Sequence, residues 1–150
     1  MNRDFVEMLS GLNEAEVDFL VVGAYALAAH GVPRATGDLD IWVRAASDNA
    51  SRVLAALGAF GAPLFDLTLE DLTKPGTVFQ IGVAPSRIDI LTSVTGLEFD
   101  SARDRCVLAA IEGLRVPVLG RQDFITNKRA LGRPKDIADI ALLEEARPSH

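Results

Sequence analysis

Three carboxylates, Asp38, Asp40 and Asp89, lie on short apolar stretches where acidic side chains need a reason. Asp38 and Asp40 are one residue apart, at the point where a polar turn runs into Leu39, Ile41, Trp42 and Val43. In a strand, side chains at i and i+2 leave the same face, about 7 Å apart at a rise of about 3.3 Å per residue. Both acids can therefore reach one site. Like charges held that close repel, so such a pair is a solvated strand edge, a turn in which each acid has its own donor, or a seat for a divalent cation. Asp89 belongs to Arg87-Ile88-Asp89-Ile90, where Arg87 and Asp89 share one face and Ile88 and Ile90 take the other. A lone acid there could pair with Arg87 or Arg34. Three acids on two neighbouring strands make a better case for a shared cation. Carboxylates are the hard oxygen ligands that Mg²⁺ prefers, and no Cys or His pair competes for a softer metal.

The elements that must position these acids are legible from periodicity. Phe5, Met8, Leu9 and Leu12 follow the i, i+3, i+4, i+7 pattern, which predicts a helix over 2–12. Val17 to Val22 reads as a buried strand, ended by Gly23, and Ala24 to His30 as a helix closed by Gly31 and Pro33. Leu39 to Val43 is the next strand. Ser47 is the expected N-cap of a helix over 48–60, with Val53, Leu54, Leu57 and Phe60 inward. Thr68 to Thr73 suggests one short helical turn inside a connector. Thr77 to Val83 and Ile88 to Leu91 read as an antiparallel hairpin about Ala84, Pro85, Ser86 and Arg87. After a short helix over 99–105, residues 106–111 and 114–119 form two more strands about Glu112-Gly113. Helices over 121–131 and 136–145 follow, the last with Ile137, Ile140, Ala141 and Leu143 inward. The fold class expected is α/β (α+β): a mixed, largely antiparallel central sheet with flanking helices and two helices at the C-terminal end.

Bulk properties exclude several classes. A chain of 150 residues with 49% hydrophobic residues is most economically one domain, with a core over about 13–119 and a helical part over about 121–146. The lone Cys106 has no internal partner and no secretory leader is recognisable, so a reducing cytoplasm is expected. No run approaches the roughly 20 apolar residues of a membrane span, and no membrane association is expected. A net charge of −6 argues against a general nucleic-acid coat. It leaves room for a local basic pocket: Arg121, Lys128, Arg129, Arg133 and Lys135 stand against only Asp123 in that segment. Charge pattern alone leaves that segment open between a pocket and a solvated helical face. Asp136 is placed as an acid at a helix start, and His30 as a cation-capable group at a helix end.

Together these motifs carry a resemblance. Gly23-Ala24 at a strand end, a helix, Asp38-Leu39-Asp40 on the next strand and Asp89 on a later one resemble the DNA polymerase β-type nucleotidyltransferase superfamily. Adding Arg34-Ala35-Thr36-Gly37 and Lys128-Arg129 leading to Gly132-Arg133-Pro134-Lys135-Asp136, the chain is similar to small bacterial nucleotidyltransferase-like proteins related to the AbiEii toxin family. The resemblance implies Mg²⁺ or Mn²⁺ held by Asp38, Asp40 and Asp89, and an NTP as substrate. Nucleoside monophosphate would pass to an acceptor hydroxyl on RNA, protein or a small molecule. Asp89 would favour deprotonation of that hydroxyl. Gly23 and Ala24 would admit the phosphates, Lys128 would meet the triphosphate tail, Arg34 would neutralise a phosphate oxygen or brace an acid, and Thr36 would offer a hydroxyl nearby. One departure stands out: the family's second small residue is usually Gly or Ser, and here it is Ala24. The rival expectation is a nucleotide-binding or regulatory module with little chemistry, such as one member of a toxin and antitoxin pair, acting as a homodimer or with a partner protein.

Overall fold

The computed structural model describes residues 3–34, 37–83 and 86–146. Within them the chain runs α1 (Arg3–Glu14), β1 (Phe19–Val22), α2 (Gly23–Ala29), β2 (Leu39–Val43), α3 (Ser47–Phe60), a 3₁₀ turn (Asp71–Thr73), β3 (Val78–Ile81), β4 (Ile88–Leu91), α4 (Phe99–Asp104), β5 (Val107–Ile111), β6 (Leu114–Val118), α5 (Arg121–Leu131) and α6 (Pro134–Glu145). The six strands form one sheet in the order β3-β4-β2-β1-β6-β5. β1 pairs antiparallel with β2, β3 with β4 and β5 with β6, while β2–β4 and β1–β6 are parallel. The expected mixed, largely antiparallel sheet is therefore present. The two parallel pairings are what matter for the site, because β2 and β4 enter the sheet side by side and in the same direction.

The core follows from the apolar runs. Every residue of β1 is buried, as a central strand covered on both faces requires. Phe5, Met8, Leu9 and Leu12 of α1 are buried as their spacing dictates, and α1 packs on α3 and β6. Trp42 is buried and meets Phe99 edge-on at 5.1 Å between ring centres, while Tyr25 receives Phe5 in the same manner at 5.8 Å. Cys106 is partly buried, with its sulfur 3.0 Å from an Arg103 guanidinium nitrogen.

Several expectations change. Ser47 is the first residue of α3 and Ala46 occupies the N-cap without a side-chain cap, so the cap assignment is wrong by one position. The inner face of α3 is Asn49, Ala50, Val53, Ala56 and Leu57, with Leu54 and Phe60 only half-buried. Asn49 earns that place by accepting from the Asp18 N–H and donating to the carbonyls of Asp18 and Arg44. The 3₁₀ turn forms where Thr68 suggested: its hydroxyl accepts from the Asp71 N–H while the Asp71 carboxylate accepts from the Thr68 N–H. His30 does not serve its own helix end. Its Nε2 lies 2.7 Å from the Leu119 carbonyl, and its ring meets Phe124 edge-on. Residues Ala84 and Pro85 of the expected β3–β4 turn lie outside the described residues.

The largest departure is α6. Its buried residues are Asp136, Asp139 and Leu143, whereas Ile137 is 60% exposed. Ile140 is half-buried and Ala141 is exposed, so of the four residues expected inward only Leu143 is fully buried. The acids turn inward because cations from other elements meet them there.

Candidate active site

Parallel pairing of β2 with β4 places Asp40 directly opposite Asp89, and antiparallel pairing of β1 with β2 places Val22 opposite Asp40. Adjacent strands lie about 4.8 Å apart, so the two carboxylates are neighbours on one end of the sheet. Asp38 precedes β2 on the same face as Asp40. Sequence spacing alone put Asp38 with Asp40; the strand order adds Asp89.

Gly23 follows immediately, at φ +68°, as the first residue of α2. This left-handed conformation suits glycine, and a Cβ here would run into the Asp40 carboxylate. The backbone turn thus presses directly against the acid. Ala24 lies beside it, lining the same cleft.

One cation covers this end of the sheet. The Arg87 guanidinium grips Asp89 through Nε at 2.8 Å and Nη2 at 3.2 Å, and reaches Asp38 at 3.4 Å. The Arg87 backbone N–H also donates to Asp38 at 3.2 Å. These contacts raise the pKa of Arg87, chiefly through its bond to Asp89. Asp40 receives much less. Burial, followed by the charge of Asp89 and its hydrogen bond, pushes the Asp40 carboxyl up to about 6, with Asp38 adding to the rise and Arg87 opposing it. Tyr25 is raised as well, by burial first and then by Glu112 and Asp38.

The charge imbalance at Asp40 and the all-oxygen donor set fit a hard divalent cation. Asp38 is turned toward Arg87, however, and among the described residues no group of three His, Cys, Asp or Glu side chains is gathered closely enough to hold a metal ion. The fit is one of chemistry and of the Asp40–Asp89 pair, with Asp38 adjacent.

A cleft of about 480 Å³ opens beside the acids, lined by Gly23, Ala24, Leu27, Arg34, Lys128, Arg133, Lys135 and Asp139, among others. A second space of about 310 Å³ adjoins it, where Asp40 and Gly23 face Ser93, Asn127, Lys128 and Phe124. Lys128 borders both. Its side chain is only 15% exposed, with the ammonium 3.1 Å from Asp139 and 3.5 Å from Asp136. Burial lowers its pKa and Asp136 works against that shift. Arg34 pairs with Asp139. Asp136 is held at about 2, first by its side-chain bond with Arg133 and then by the Arg133 N–H that it accepts at the start of α6. Of the expected site residues, Asp38, Asp40, Asp89, Gly23, Ala24, Arg34 and Lys128 gather at this end of the sheet; Thr36 lies outside the described residues. Asp139 was missed. Its only signal was a second acid three residues after Asp136, on what reads as an ordinary amphipathic helix.

Neither protein-family models nor curated protein sequences match the chain. Solved structures do. A candidate nucleotidyltransferase from Thermotoga maritima superposes with a TM-score of 0.62 at 13% identity, covering 95% of this chain and 89% of its own. The antibiotic-resistance factor ANT(2'')-Ia gives 0.59 at 16% identity, covering 93% and 80%. The lincosamide antibiotic adenylyltransferase LnuA, bound to lincomycin, gives 0.57 at 13% identity and 97% of both chains. At such identities the likeness is one of fold: this chain has the nucleotidyltransferase fold over almost its whole length.

Proposed function

We propose that this protein is a metal-dependent nucleotidyltransferase that moves a nucleoside monophosphate from an NTP to an acceptor hydroxyl. The observation that carries the reading is the Asp40–Asp89 pair, in register on parallel strands and pressed by Gly23, with Asp40 lining a space bordered by Lys128 and Arg133 that adjoins the cleft edged by Arg34. Phosphoryl transfer asks a protein for positioning and for charge opposite the phosphates more than for covalent help. Asp38, Asp40 and Asp89 would hold Mg²⁺ or Mn²⁺, which when bound neutralises phosphate charge and draws the reacting oxygens into line.

The chain's own residues supply the rest. Gly23 leaves the backbone bare where a phosphate must approach closely. Lys128 and Arg34 meet the triphosphate tail, Lys128 as a point charge and Arg34 through its planar fork. The acceptor oxygen forms a bond to the α-phosphorus as the bond to the bridging oxygen of the β-phosphate breaks. Pyrophosphate departs with that electron pair, and Asp89 favours loss of the acceptor's proton.

A small-molecule hydroxyl is the acceptor class we favour over RNA or protein. Its support is the likeness in fold and length to the lincosamide antibiotic adenylyltransferase LnuA, and in fold to the antibiotic-resistance factor ANT(2'')-Ia. The narrower likeness to AbiEii-related proteins rests on the sequence motifs. The second reading, a nucleotide-binding or regulatory module with little turnover, draws on Ala24, which brings no hydroxyl to the cleft, and on Arg87, which already stands where a cation would.

Each labelled NTP, incubated with Mg²⁺ or Mn²⁺ and with hydroxyl-bearing small molecules, RNA or cell lysate, separates the two. Label transfer by the wild type that vanishes in Asp38→Asn and Asp89→Asn supports the enzyme. Metal and NTP binding with no transfer to any acceptor supports the binding module instead.

A further inference from the structure

Helix α6 is inverted for an amphipathic helix, with Asp136 and Asp139 buried and Ile137 and Leu142 exposed. Buried carboxylates are costly unless paired. The two acids find their partners differently. Asp136 accepts from the backbone N–H and the guanidinium of Arg133, three residues before it, and so belongs first to the start of its own helix. Asp139 is met by two other elements: Arg34, from the segment after α2, on one oxygen and Lys128 of α5 on the other. Both of these cations border the cleft that opens at Gly23 and Ala24.

Arg34, Lys128 and Arg133 are like charges crowded at one cleft, and the first and last both work against the protonated form of Lys128. Long cationic side chains so placed would turn away into solvent, where they keep their freedom and their hydration. Two carboxylates among three cations remove that repulsion and still leave one positive charge in excess, so the cluster keeps its attraction for an anion.

We propose that Asp139 is a positioning residue for the triphosphate, holding Arg34 and Lys128 across the cleft so that both cations are in place before the nucleotide arrives. The inference rests on the reading of this cleft as the triphosphate site. Fixing these side chains in advance removes the ordering cost that binding would otherwise bear. The groups facing Lys128 are Asp136 and Asp139 of α6, Arg133 at its start and Arg34; Asp40 of β2 lines the adjoining space.

Calorimetric titration with Mg²⁺ and α,β-methylene-ATP, and separately with inorganic triphosphate, tests this in the wild type, Asp139→Asn and Asp139→Glu. Asp139→Asn is expected to weaken both ligands about tenfold, and Asp139→Glu, whose charge sits on a longer arm, about threefold. Equal losses for the two ligands place the effect on the phosphates and not on the base. The ¹⁵N resonance of the Lys128 ammonium in the ligand-free protein should shift in Asp139→Asn and move part of the way back in Asp139→Glu, in step with the two affinities, a coupling that a merely structural role would not produce. Should Asp139→Asn fail to fold, the loss in Asp139→Glu decides. Binding as tight as wild type, or tighter, in either folded variant overturns the proposal, because Asp139 would then be a bystander or a competitor of the phosphates. If the wild type binds neither ligand while the Lys128 resonance still moves, the cleft reading itself has failed and takes the proposal with it.

Discussion

At the sheet end, Asp40 faces Asp89 with its carboxyl pushed up to about 6; in the α5–α6 layer Asp136, more deeply buried, is held at about 2. Burial pushes both carboxyls up and is the first cause at Asp40, while at Asp136 the bonds from Arg133 outweigh it. What separates them is a cation within bonding reach. Asp136 has Arg133 and Lys128, whereas Arg87 binds Asp89 and Asp38 and leaves Asp40 with only its weaker field. In one region every buried acid has a cation within bonding reach and one positive charge is left over, and in the other an acid is left without such a cation. A protein keeps such an unbalanced acid where a ligand completes it.

The sharpest way to break the sheet-end half of this comparison is Gly23→Ala. A methyl at φ +68° carries left-handed strain and meets the Asp40 carboxylate, so the substitution should destabilise by about 2–4 kcal/mol, read from urea unfolding. A near-neutral result would mean that the backbone does not press on the acid. Asp136→Asn attacks the other half. It leaves Arg133 without its carboxylate and Lys128 with Asp139 alone, and the melting temperature at pH 7 should fall clearly. The sign follows from the depressed pKa. Asp136 contributes stability above its unfolded value of about 4, and that contribution is lost as pH falls toward 2. The difference in melting temperature between wild type and variant should accordingly shrink across that window, and a constant difference would contradict the network.

Asp40→Asn should do the reverse. Removing a half-buried like charge should raise the melting temperature of the metal-free protein, by about 1 kcal/mol of stability after discounting for solvent screening, while abolishing transfer. A loss of stability would show that Asp40 is already paired. The smallest effect is expected at Ile137→Ala. With the side chain 60% exposed, unfolding free energy should change by no more than about 0.5 kcal/mol, whereas the inward position that periodicity suggested would cost about 2–5 kcal/mol.

How much of this was visible in the sequence differs between the same two regions. β2, β4 and α5 occupy the spans that apolar runs and turn residues marked, since burial on a sheet and glycine at a helix end are local signals. Asp38 and Asp40 were readable together because a strand fixes their spacing. Asp89 was grouped with them on the expectation of neighbouring strands, but its position directly opposite Asp40 depends on strand order and register, which periodicity does not give. α6 misled because its pattern contains enough apolar residues to suggest an inward stripe, while the face that wins is set by Arg34, from the distant segment after α2, and by the way α5 folds back to bring Lys128 against it. Single-sequence periodicity has no access to such partners. His30 was similarly opaque, since the carbonyl it meets belongs to Leu119, 89 residues further on.

The central claim is that the Asp40–Asp89 pair awaits a divalent cation. Thermal unfolding with increasing Mn²⁺, for the wild type, Asp40→Asn and Asp89→Asn, tests it without any knowledge of the acceptor, because a ligand that binds only the folded state raises the melting temperature. The wild type should gain stability with Mn²⁺ and both variants should gain little or none. A wild type indifferent to Mn²⁺, or variants that respond as it does, would contradict the claim.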